Sequence, residues 1–559
     1  MCSRPADVAC LRCIPPNPSR ARTSGSGIAV MIARLATMLP RRFRAVEVAP
    51  PADAGAREAG PAGFSNIQIL RGLAASAVFS HHAAAYAQLE RGAGRPAQPL
   101  DTLMGIGGVA VFFAISGFLM AGLIRRDPPS TFLAHRLIRI VPTYLLVVAL
   151  TVPVYAACGI APSGIAPIAL SLAPAGPRSY PLIVEWTLVF EVSFYVGLFV
   201  VAWAGLARRI FSLALLWLAL LALAFVLLPE ASRDRYQPPA YLLPFVAACV
   251  PFAGGLLLPR LLASGRMRPG LGLLALPLAT ACLFVETDAA RWLSGIAAVL
   301  LVGTAASSPQ VRGTGRPVRG LLALGDGSYI LYLVHFPVLV VVARLLPAEW
   351  SPLSYGLVCA AVAFAVTALL GPLDLALYRT LRRRVDRAAA LRLRGGLAAY
   401  LLLFLGCAAW GSTETAVQDW REVRARAALA ALPPETWTSR ERAERAFRER
   451  GLALPASVRG RLEAIEATAT QTLVKAWAYD PATPRRAMHL ALFCGGRLVG
   501  IDRPRRGRRD LAGQLGLDGL GRRRIGYGMP IPLTACPADA APLAVVVDTD
   551  GGMGVLPER

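Results

Sequence analysis

Long apolar runs are the feature of this sequence that most restricts its fold. From Asn66 onward, eleven runs approach the roughly 20 apolar residues that a helix needs to cross a bilayer. They lie at about 66–88, 103–124, 140–158, 182–205, 210–228, 239–258, 270–286, 291–306, 320–346, 353–378 and 396–411. The sequence therefore predicts an all-α polytopic membrane protein and excludes a purely soluble enzyme.

Arginines in the loops predict the orientation of these runs. With the N-terminus in the cytoplasm, 19 loop arginines fall on the cytoplasmic side and five on the opposite side. This asymmetry follows the positive-inside rule and places the C-terminal region outside. Because topology accounts for much of the net charge of +25, no nucleic-acid partner is expected.

The C-terminal region has the character of a soluble module. Thr438 and Ser439 precede a charged run, so residues 438–450 are predicted to form a capped helix that ends at Gly451. Short apolar runs separated by turn signals then predict a small β-rich domain. An oxidising periplasm permits a disulfide between Cys494 and Cys536, although spacing alone does not establish the pairing.

Polar residues inside apolar runs are costly in lipid and often functional. Arg71 and His82 are eleven residues apart, which puts them on one helix face, roughly 16 Å from each other along the axis. Alternatively, Arg71 snorkels to the interface and the histidine caps the far end. Glu191 lies in the middle of its run and needs a cationic partner or a proton. Glu185, nearer the outer end, is expected to be solvated.

Two further groups of polar residues leave alternatives open. Ser328, Tyr332 and His335 share a helical stripe, which is either a polar seam between helices or part of a site. Arg136 and Arg139 lie three residues apart near the cytoplasmic surface. Paired guanidinium groups bind phosphate well, but ordinary membrane anchoring also explains their position.

Five motifs follow one another in the order of a known family. They read R-x10-H, GGVAVFFAISGFLM, F-x-x-H-R-x-x-R-I-x-P-x-Y, W-T-L-x-x-E-x-x-F-Y and L-G-x-x-S-Y-x-L-Y-L-x-H-x-P. Over about residues 64–390 they resemble the acyltransferase 3 family of membrane acyltransferases. The resemblance implies a core of ten spans, with the run at 396–411 as an eleventh helix. It also implies O-acylation of extracytoplasmic glycans from an acyl-CoA donor, usually acetyl-CoA.

The resemblance carries roles to particular positions. It implies that His82, Arg71 and Glu191 are catalytic. It implies binding of substrate or acyl-CoA by Arg136, Arg139, Ser328, Tyr329, Tyr332 and His335. The sequence departs from the family pattern at Ala110, where an Asp is frequent, and at His135, where an Arg is frequent. Acyl-CoA is expected as a co-substrate, and neither a metal nor a tightly bound cofactor is expected.

The expected organisation has five parts: a disordered N-terminal extension, the membrane domain, an additional membrane helix, a helical linker and a small β-rich periplasmic domain. Their expected boundaries are 1–64, 65–390, 391–412, 413–464 and 465–559. The expected location is the bacterial inner membrane. The expected partners are acyl-CoA, a glycan acceptor and the lipid bilayer, with the oligomeric state left open.

The sequence thus predicts a membrane O-acyltransferase that transfers an acyl group, most simply acetyl, to a hydroxyl of a cell-surface or exported polysaccharide, such as exopolysaccharide or lipopolysaccharide. His82 acts either as a general base or as a covalent acyl carrier. A transporter or flippase for a glycan-linked substrate is the main alternative, and a non-catalytic glycan-binding protein is a third. An inverted repeat would favour transport, and none is visible in the sequence.

Overall fold

The computed structural model describes most of the chain from Phe64 onward. The described residues are 64–91, 98–228, 235–285, 287–313, 315–347, 349–467, 472–483, 488–504, 506–507, 511, 524–531, 536 and 542–558. The predicted disordered extension therefore lies outside the described residues, apart from Phe64 itself.

Helices make up the membrane region and the segment after it. In chain order they are α1 Ser65–Arg91, α2 Gln98–Arg126, α3 Pro129–Ala157, α4 Pro167–Leu170, α5 Trp186–Trp203, α6 Ile210–Leu227, α7 Val250–Ala263, α8 Ala275–Ala281, α9 Thr287–Ser307, α10 Arg316–Leu345, α11 Pro352–Arg387, α12 Ala390–Ala430 and α13 Arg440–Glu449. Short 3-10 helices lie at Ala207–Arg209, Leu243–Phe245, Ala247–Cys249, Pro269–Leu274 and Pro434–Thr438.

Eight helical segments among the described residues are long and apolar enough to cross a membrane. They are Leu103–Arg126, Pro129–Ala157, Trp186–Trp203, Ala207–Leu227, Asp288–Ser307, Arg316–Leu345, Pro352–Arg387 and Ala390–Ala430. The polytopic helical architecture is confirmed, but eight segments meet these criteria instead of the eleven predicted.

The three remaining predicted spans are helical but shorter or more polar. The run at 66–88 is the 27-residue helix α1, whose arginine and histidines interrupt its apolar surface. The run at 239–258 contains two 3-10 turns before the 14-residue helix α7. The run at 270–286 is divided between a 3-10 helix and the seven-residue helix α8. Apolar composition alone did not reveal these interruptions.

Helix α1 packs against α2 and α10, and α10 packs in turn against α11. Glycine permits the close approach of α1 and α10. A Cβ atom on Gly325 of α10 would lie only 2.1 Å from the backbone oxygen of Gln68 on α1. A Cβ on Gly72 of α1 would lie 3.0 Å from the backbone nitrogen of Gly325. Small residues of this kind let membrane helices approach at backbone distance, which brings the polar side chains of α1 and α10 together.

An irregular segment between α4 and α5 is buried in the protein. Leu172, Leu182 and Val184 are each at most 1% exposed. Leu172 and Ile183 have positive φ angles of 56° and 70°, an unusual conformation for bulky side chains, especially a β-branched one. Such strain persists only where the surrounding packing fixes the backbone, and here it precedes the first turn of α5.

The C-terminal domain is a sandwich of two antiparallel four-stranded sheets. Its strands are β1 Arg459–Ala467, β2 Thr472–Tyr479, β3 Met488–Cys494, β4 Arg497–Asp502, β5 Arg506–Gly507, β6 Arg524–Ile531, β7 Pro542–Asp548 and β8 Met553–Val555. The strand orders are β1-β2-β6-β5 and β4-β3-β7-β8. The predicted β-rich domain is confirmed, with its first strand beginning at Arg459, before the expected boundary at 465.

Helix α12 joins the membrane region to this sandwich. It runs without interruption from Ala390 to Ala430, so the expected boundary at 412 falls inside one helix. Ala425 and Leu429 near its end pack against the outer face of the β4-β3-β7-β8 sheet, together with α13. The predicted cap of α13 is confirmed, because the side chain of Ser439 accepts a hydrogen bond from the backbone of Arg442. Within the sandwich, Cys494 and Cys536 form a disulfide.

Candidate active site

His82 of α1 and His335 of α10 face each other across the helix interface. The Nε2 atom of His335 lies 3.2 Å from Nδ1 of His82, and the ring centroids are 5.0 Å apart. His335 is 1% exposed, whereas His82 is only partly buried. Phe336 contacts the edge of the His82 ring, with a centroid distance of 5.6 Å. The pair thus consists of one accessible imidazole and one buried imidazole that supports it.

The neighbouring His81 occupies a different environment. Its ring lies edge-on to the ring of His82, with centroids 4.8 Å apart. A Cβ atom on Gly105 of α2 would lie 2.8 Å from the His81 ring, so His81 packs directly over this glycine. The two consecutive histidines therefore point toward different helices, as their rotation of about 100° around α1 requires.

Tyr332 connects α10 to the start of α5. Its hydroxyl lies 2.5 Å from the hydroxyl of Thr187 and donates to the backbone oxygen of Val184 at 3.0 Å. Tyr332 lies one turn before His335, and its backbone oxygen accepts a hydrogen bond from that ring. The stripe predicted on α10 therefore forms polar contacts between helices and also packs beside the histidine pair.

Glu185 is buried at the junction of the irregular segment and α5. It is 0% exposed, so the expectation that it is solvated is wrong. Its Oε1 accepts a hydrogen bond from the backbone nitrogen of Leu182 at 2.7 Å. Its Oε2 is buried without a hydrogen-bond partner among the described residues. The irregular segment folds back over the N-terminal end of α5, which periodicity along the helix did not indicate.

A second polar cluster surrounds Glu191 of α5. Its carboxylate accepts a short hydrogen bond from the hydroxyl of Tyr195, one turn further along the helix. It also lies within electrostatic range of Arg71, Arg136 and Arg139. The cationic partner that Glu191 needs is therefore present. These three arginines, which we call the cationic cluster, also have Asp374 and Asp326 as acidic neighbours, so their charge is largely balanced.

Arg139 is held tightly, in contrast to its neighbour Arg136. Its Nη1 donates to Oδ2 of Asp374 on α11 at 2.7 Å. Its guanidinium also lies over the rings of Tyr329 and Tyr378, at 5.1 Å and 5.5 Å from their centroids. The buried Nε of Arg136 has no hydrogen-bond partner among the described residues. Arg136 therefore retains more capacity to bind an anion than Arg139 does.

The structure divides the predicted residues between two places. His82, Tyr332 and His335 lie together, and Arg71, Glu191, Arg136, Arg139 and Tyr329 form or adjoin the cationic cluster. Ser328 is fully buried, and its Oγ has no hydrogen-bond partner among the described residues. The histidine pair involves neither Glu191 nor Ser328, so the partner of the His82 ring is His335.

Sequence reasoning missed two aspartates that support these groups. Asp374 is 2% exposed and binds both Arg139 and Thr143. Asp326 accepts a hydrogen bond from Gln68 at 2.5 Å and lies within electrostatic range of Arg71. Each carboxylate lies inside a long apolar helix, where it is costly unless it is paired or functional. The sequence alone could therefore have indicated both residues.

The two departures from the family pattern have different structural consequences. His135 is 6% exposed, and its Nε2 contacts Oδ1 of Asp386 at 2.8 Å, so the His135 side chain is bonded to α11. Ala110 is 4% exposed and packs in an apolar cluster with residues of α1 and α9. Among the described residues, no group of three or more His, Cys, Asp and Glu side chains could hold a metal ion.

The sequence model of a family described as an acyltransferase domain matches residues 64–372. The chain belongs to the acyltransferase 3 family. The match includes all nine predicted site residues and ends before α12 and the β-sandwich. This acyltransferase 3 protein is therefore an enzyme that transfers acyl groups other than amino-acyl groups, within a multi-pass membrane domain.

Two proteins similar to this acyltransferase have names that describe a function. The exopolysaccharide production protein ExoZ of Rhizobium meliloti (strain 1021) is 31% identical over 314 residues, which cover 53% of this chain and 94% of ExoZ. The acyltransferase MdmB of Streptomyces mycarofaciens is 29% identical over 349 residues, which cover 54% of this chain and 87% of MdmB. No solved structure matches the chain.

Proposed function

We propose that this enzyme transfers an acyl group, acetyl in the simplest case, from acyl-CoA to a hydroxyl of a cell-surface or exported polysaccharide. Its similarity to an exopolysaccharide production protein supports a polysaccharide acceptor. The observation that carries the proposal is the arrangement of α1. Arg71 of this helix belongs to the cationic cluster, and His82, three turns later, pairs with the imidazole of His335.

The cationic cluster is suited to binding the acyl-CoA donor. Arg136 can bind an anion such as a phosphate of coenzyme A, because its buried Nε has no hydrogen-bond partner among the described residues, whereas Arg139 is paired with Asp374. Arg71 lies roughly 16 Å from His82 along the helix axis, too far for both side chains to contact the same reacting atoms. We therefore assign Arg71 to donor binding and not to stabilisation of the charge that develops beside His82.

His82 suits proton transfer at the acceptor. Its ring accepts the proton of the sugar hydroxyl while that oxygen attacks the thioester carbonyl carbon. When the tetrahedral intermediate collapses, the carbon–sulfur bond breaks. The coenzyme A thiolate then leaves and recovers the proton from His82. The products are the O-acyl glycan and free coenzyme A, and the imidazole returns to its starting state.

An acyl-histidine relay predicts a different intermediate. In that mechanism the acyl group moves first to a ring nitrogen of His82 and then to the sugar. Incubation of the purified full chain with radiolabelled acetyl-CoA and no acceptor, followed by rapid quenching, distinguishes the two. Label retained on the protein and lost in His82→Ala supports the relay, whereas direct transfer leaves the protein unlabelled.

The proposed location is the inner membrane of a bacterium, with the N-terminus in the cytoplasm and the β-sandwich in the periplasm. The asymmetric distribution of loop arginines supports this orientation. A reporter fused after Glu414, between the last predicted span and the sandwich, should be active when it requires export. Activity of a reporter that requires the cytoplasm would contradict the orientation.

Transfer is tested with purified protein, radiolabelled acetyl-CoA and de-esterified exopolysaccharide of the source organism. Label should enter the polysaccharide and be released by mild alkali, as expected for an ester.

The cationic cluster is tested by Arg136→Gln, which should raise the KM for acetyl-CoA more than the KM for the acceptor. Movement of acceptor across vesicles without esterification would instead favour a transporter.

A further inference from the structure

The hydrogen bonds of His335 determine which of its nitrogens carries a proton. Nδ1 lies 2.7 Å from the backbone oxygen of Tyr332 and 3.2 Å from that of Leu331. Because a carbonyl oxygen can only accept, Nδ1 of His335 must be the donor. In the neutral ring, the Nε2 atom that faces His82 is therefore an acceptor.

The same reasoning extends to His82. Its Nδ1 lies 3.0 Å from the backbone oxygen of Val78 and 3.2 Å from Nε2 of His335. Both neighbours are acceptors, so Nδ1 of His82 carries the hydrogen. In the neutral ring, Nε2 of His82 then holds the free lone pair.

The opposite arrangement is unfavourable on two counts. If Nδ1 of His82 were unprotonated, its lone pair would face the oxygen of Val78 at 3.0 Å. The hydrogen between the rings would then have to come from Nε2 of His335. That ring already donates from Nδ1, so it would become a cation at a position that is only 1% exposed.

We propose that His335 is a positioning residue that fixes the tautomer of His82, leaving Nε2 as the proton-accepting atom. This inference rests on the proposed function, in which His82 is the base that deprotonates the acceptor. It changes the role implied for His335 from substrate binding to support of the His82 ring. When Nε2 takes up the acceptor's proton, the Nδ1–H bond to His335 becomes charge-assisted and stabilises the imidazolium.

The surroundings keep this arrangement in place. The ring of His82 contacts the rings of His81 and Phe336, and the ring of His335 contacts that of Tyr332. Tyr86 of α1 packs on Phe336. The two imidazoles lie on helices that also approach closely at Gly325, further along their interface. The buried position of His335 leaves little room for its ring to turn.

The tautomer can be measured directly by nitrogen NMR of the detergent-solubilised full chain labelled with ¹⁵N-histidine. The sequence has only five histidines, and the His82 signals are those lost in His82→Gln. We expect neutral His82 in the wild type to carry hydrogen on Nδ1. Hydrogen on Nε2 instead would overturn the inference, whatever the activity of any variant.

Two variants test the role of His335. His335→Phe keeps an aromatic ring but removes one of the two acceptors of the Nδ1 hydrogen and leaves the backbone oxygen of Val78, so the share of the Nε2–H tautomer of His82 should rise. The kcat should fall roughly 100-fold or more, with the KM values of both substrates nearly unchanged. His335→Gln retains an amide oxygen that can accept from Nδ1 of His82, and it should recover part of the kcat.

The outcomes separate this inference from the proposed function. An unchanged His82 tautomer in His335→Phe would overturn the positioning role even if activity were lost. Equal kcat in the Phe and Gln variants would also contradict it. Failure of the proposed function gives a different result: either the wild-type protein does not esterify the polysaccharide, or His82→Gln esterifies it at the wild-type rate.

Discussion

Asp374 of α11 fixes Arg139 of α3 through a contact of 2.7 Å between Oδ2 and Nη1. The other carboxylate oxygen accepts a hydrogen bond from Thr143 at 2.6 Å, so both oxygens are bonded to α3. The contact joins two helices whose residues are more than 200 positions apart in the sequence. It thereby determines the position of a guanidinium that belongs to the proposed donor site.

Replacement of Asp374 by Asn should therefore impair both stability and donor binding. Removing one partner of a buried ion pair typically costs about 3–5 kcal/mol, because the remaining charge is left uncompensated. Asp386→Asn is the matched control on the same helix, since the Asp386 side chain is 47% exposed and should matter far less. Thermal unfolding and the KM for acyl-CoA measure both effects. Equal behaviour of the two variants would contradict the role of Asp374.

Glu185 should stabilise the turn that precedes α5. Glu185→Ala removes the acceptor of the Leu182 backbone nitrogen, and an unsatisfied buried donor costs about 1–3 kcal/mol. Glu185→Gln keeps an oxygen at this place and should cost less. Thermal unfolding of the full chain in detergent compares the two. If Ala were tolerated as well as Gln, the turn would not depend on this hydrogen bond.

His489 should make the stability of the β-sandwich depend on pH. Burial lowers the pKa of His489, and both ring nitrogens lack hydrogen-bond partners among the described residues. The unfolded chain, with an ordinary pKa of about 6.5, therefore binds the proton more readily. Stability is fully present above that pH and falls as the pH decreases below it. Thermal unfolding of wild type and His489→Gln at several pH values should show a smaller decrease in the variant; identical decreases would exclude His489 as a cause.

The disulfide between Cys494 and Cys536 should be present in the cellular protein if the sandwich is periplasmic. The two cysteines are 42 residues apart, and closing a loop of that size stabilises a fold by about 4 kcal/mol in the chain-entropy account. Thiol labelling of denatured, unreduced protein should miss both residues, whereas Cys158 and Cys407 are free and should react. Labelling of Cys494 and Cys536 would indicate a reducing compartment.

The sequence predicted which faces carry polar residues better than it predicted their neighbours. Helical spacing placed Arg71 and His82 on one face of α1. The cost of burying a carboxylate in lipid indicated that Glu191 needs a cationic partner or a proton. The contact of His82 with His335 could not be derived in this way. It depends on how α1 and α10 pack against each other, and periodicity along one helix contains no information about the facing helix.

Irregular segments were the least predictable part of the fold. The position of Glu185 near the end of an apolar run predicts a solvated side chain, yet it is 0% exposed and bonded to the backbone of Leu182. The run at 270–286 has the composition of a span, but turns divide it into two short helices. Composition reports an average over a window, whereas these features depend on individual turns and on long-range packing.

The central claim, that His82 carries out acylation of a surface polysaccharide, is tested most directly by the ester content of that polysaccharide. A strain lacking this enzyme should lose alkali-labile acyl groups, and the wild-type gene should restore them. His82→Ala should restore almost none, whereas His81→Ala, which alters the adjacent ring over Gly105, should restore most. Unchanged acylation in the deletion strain, or equal restoration by both variants, would contradict the account.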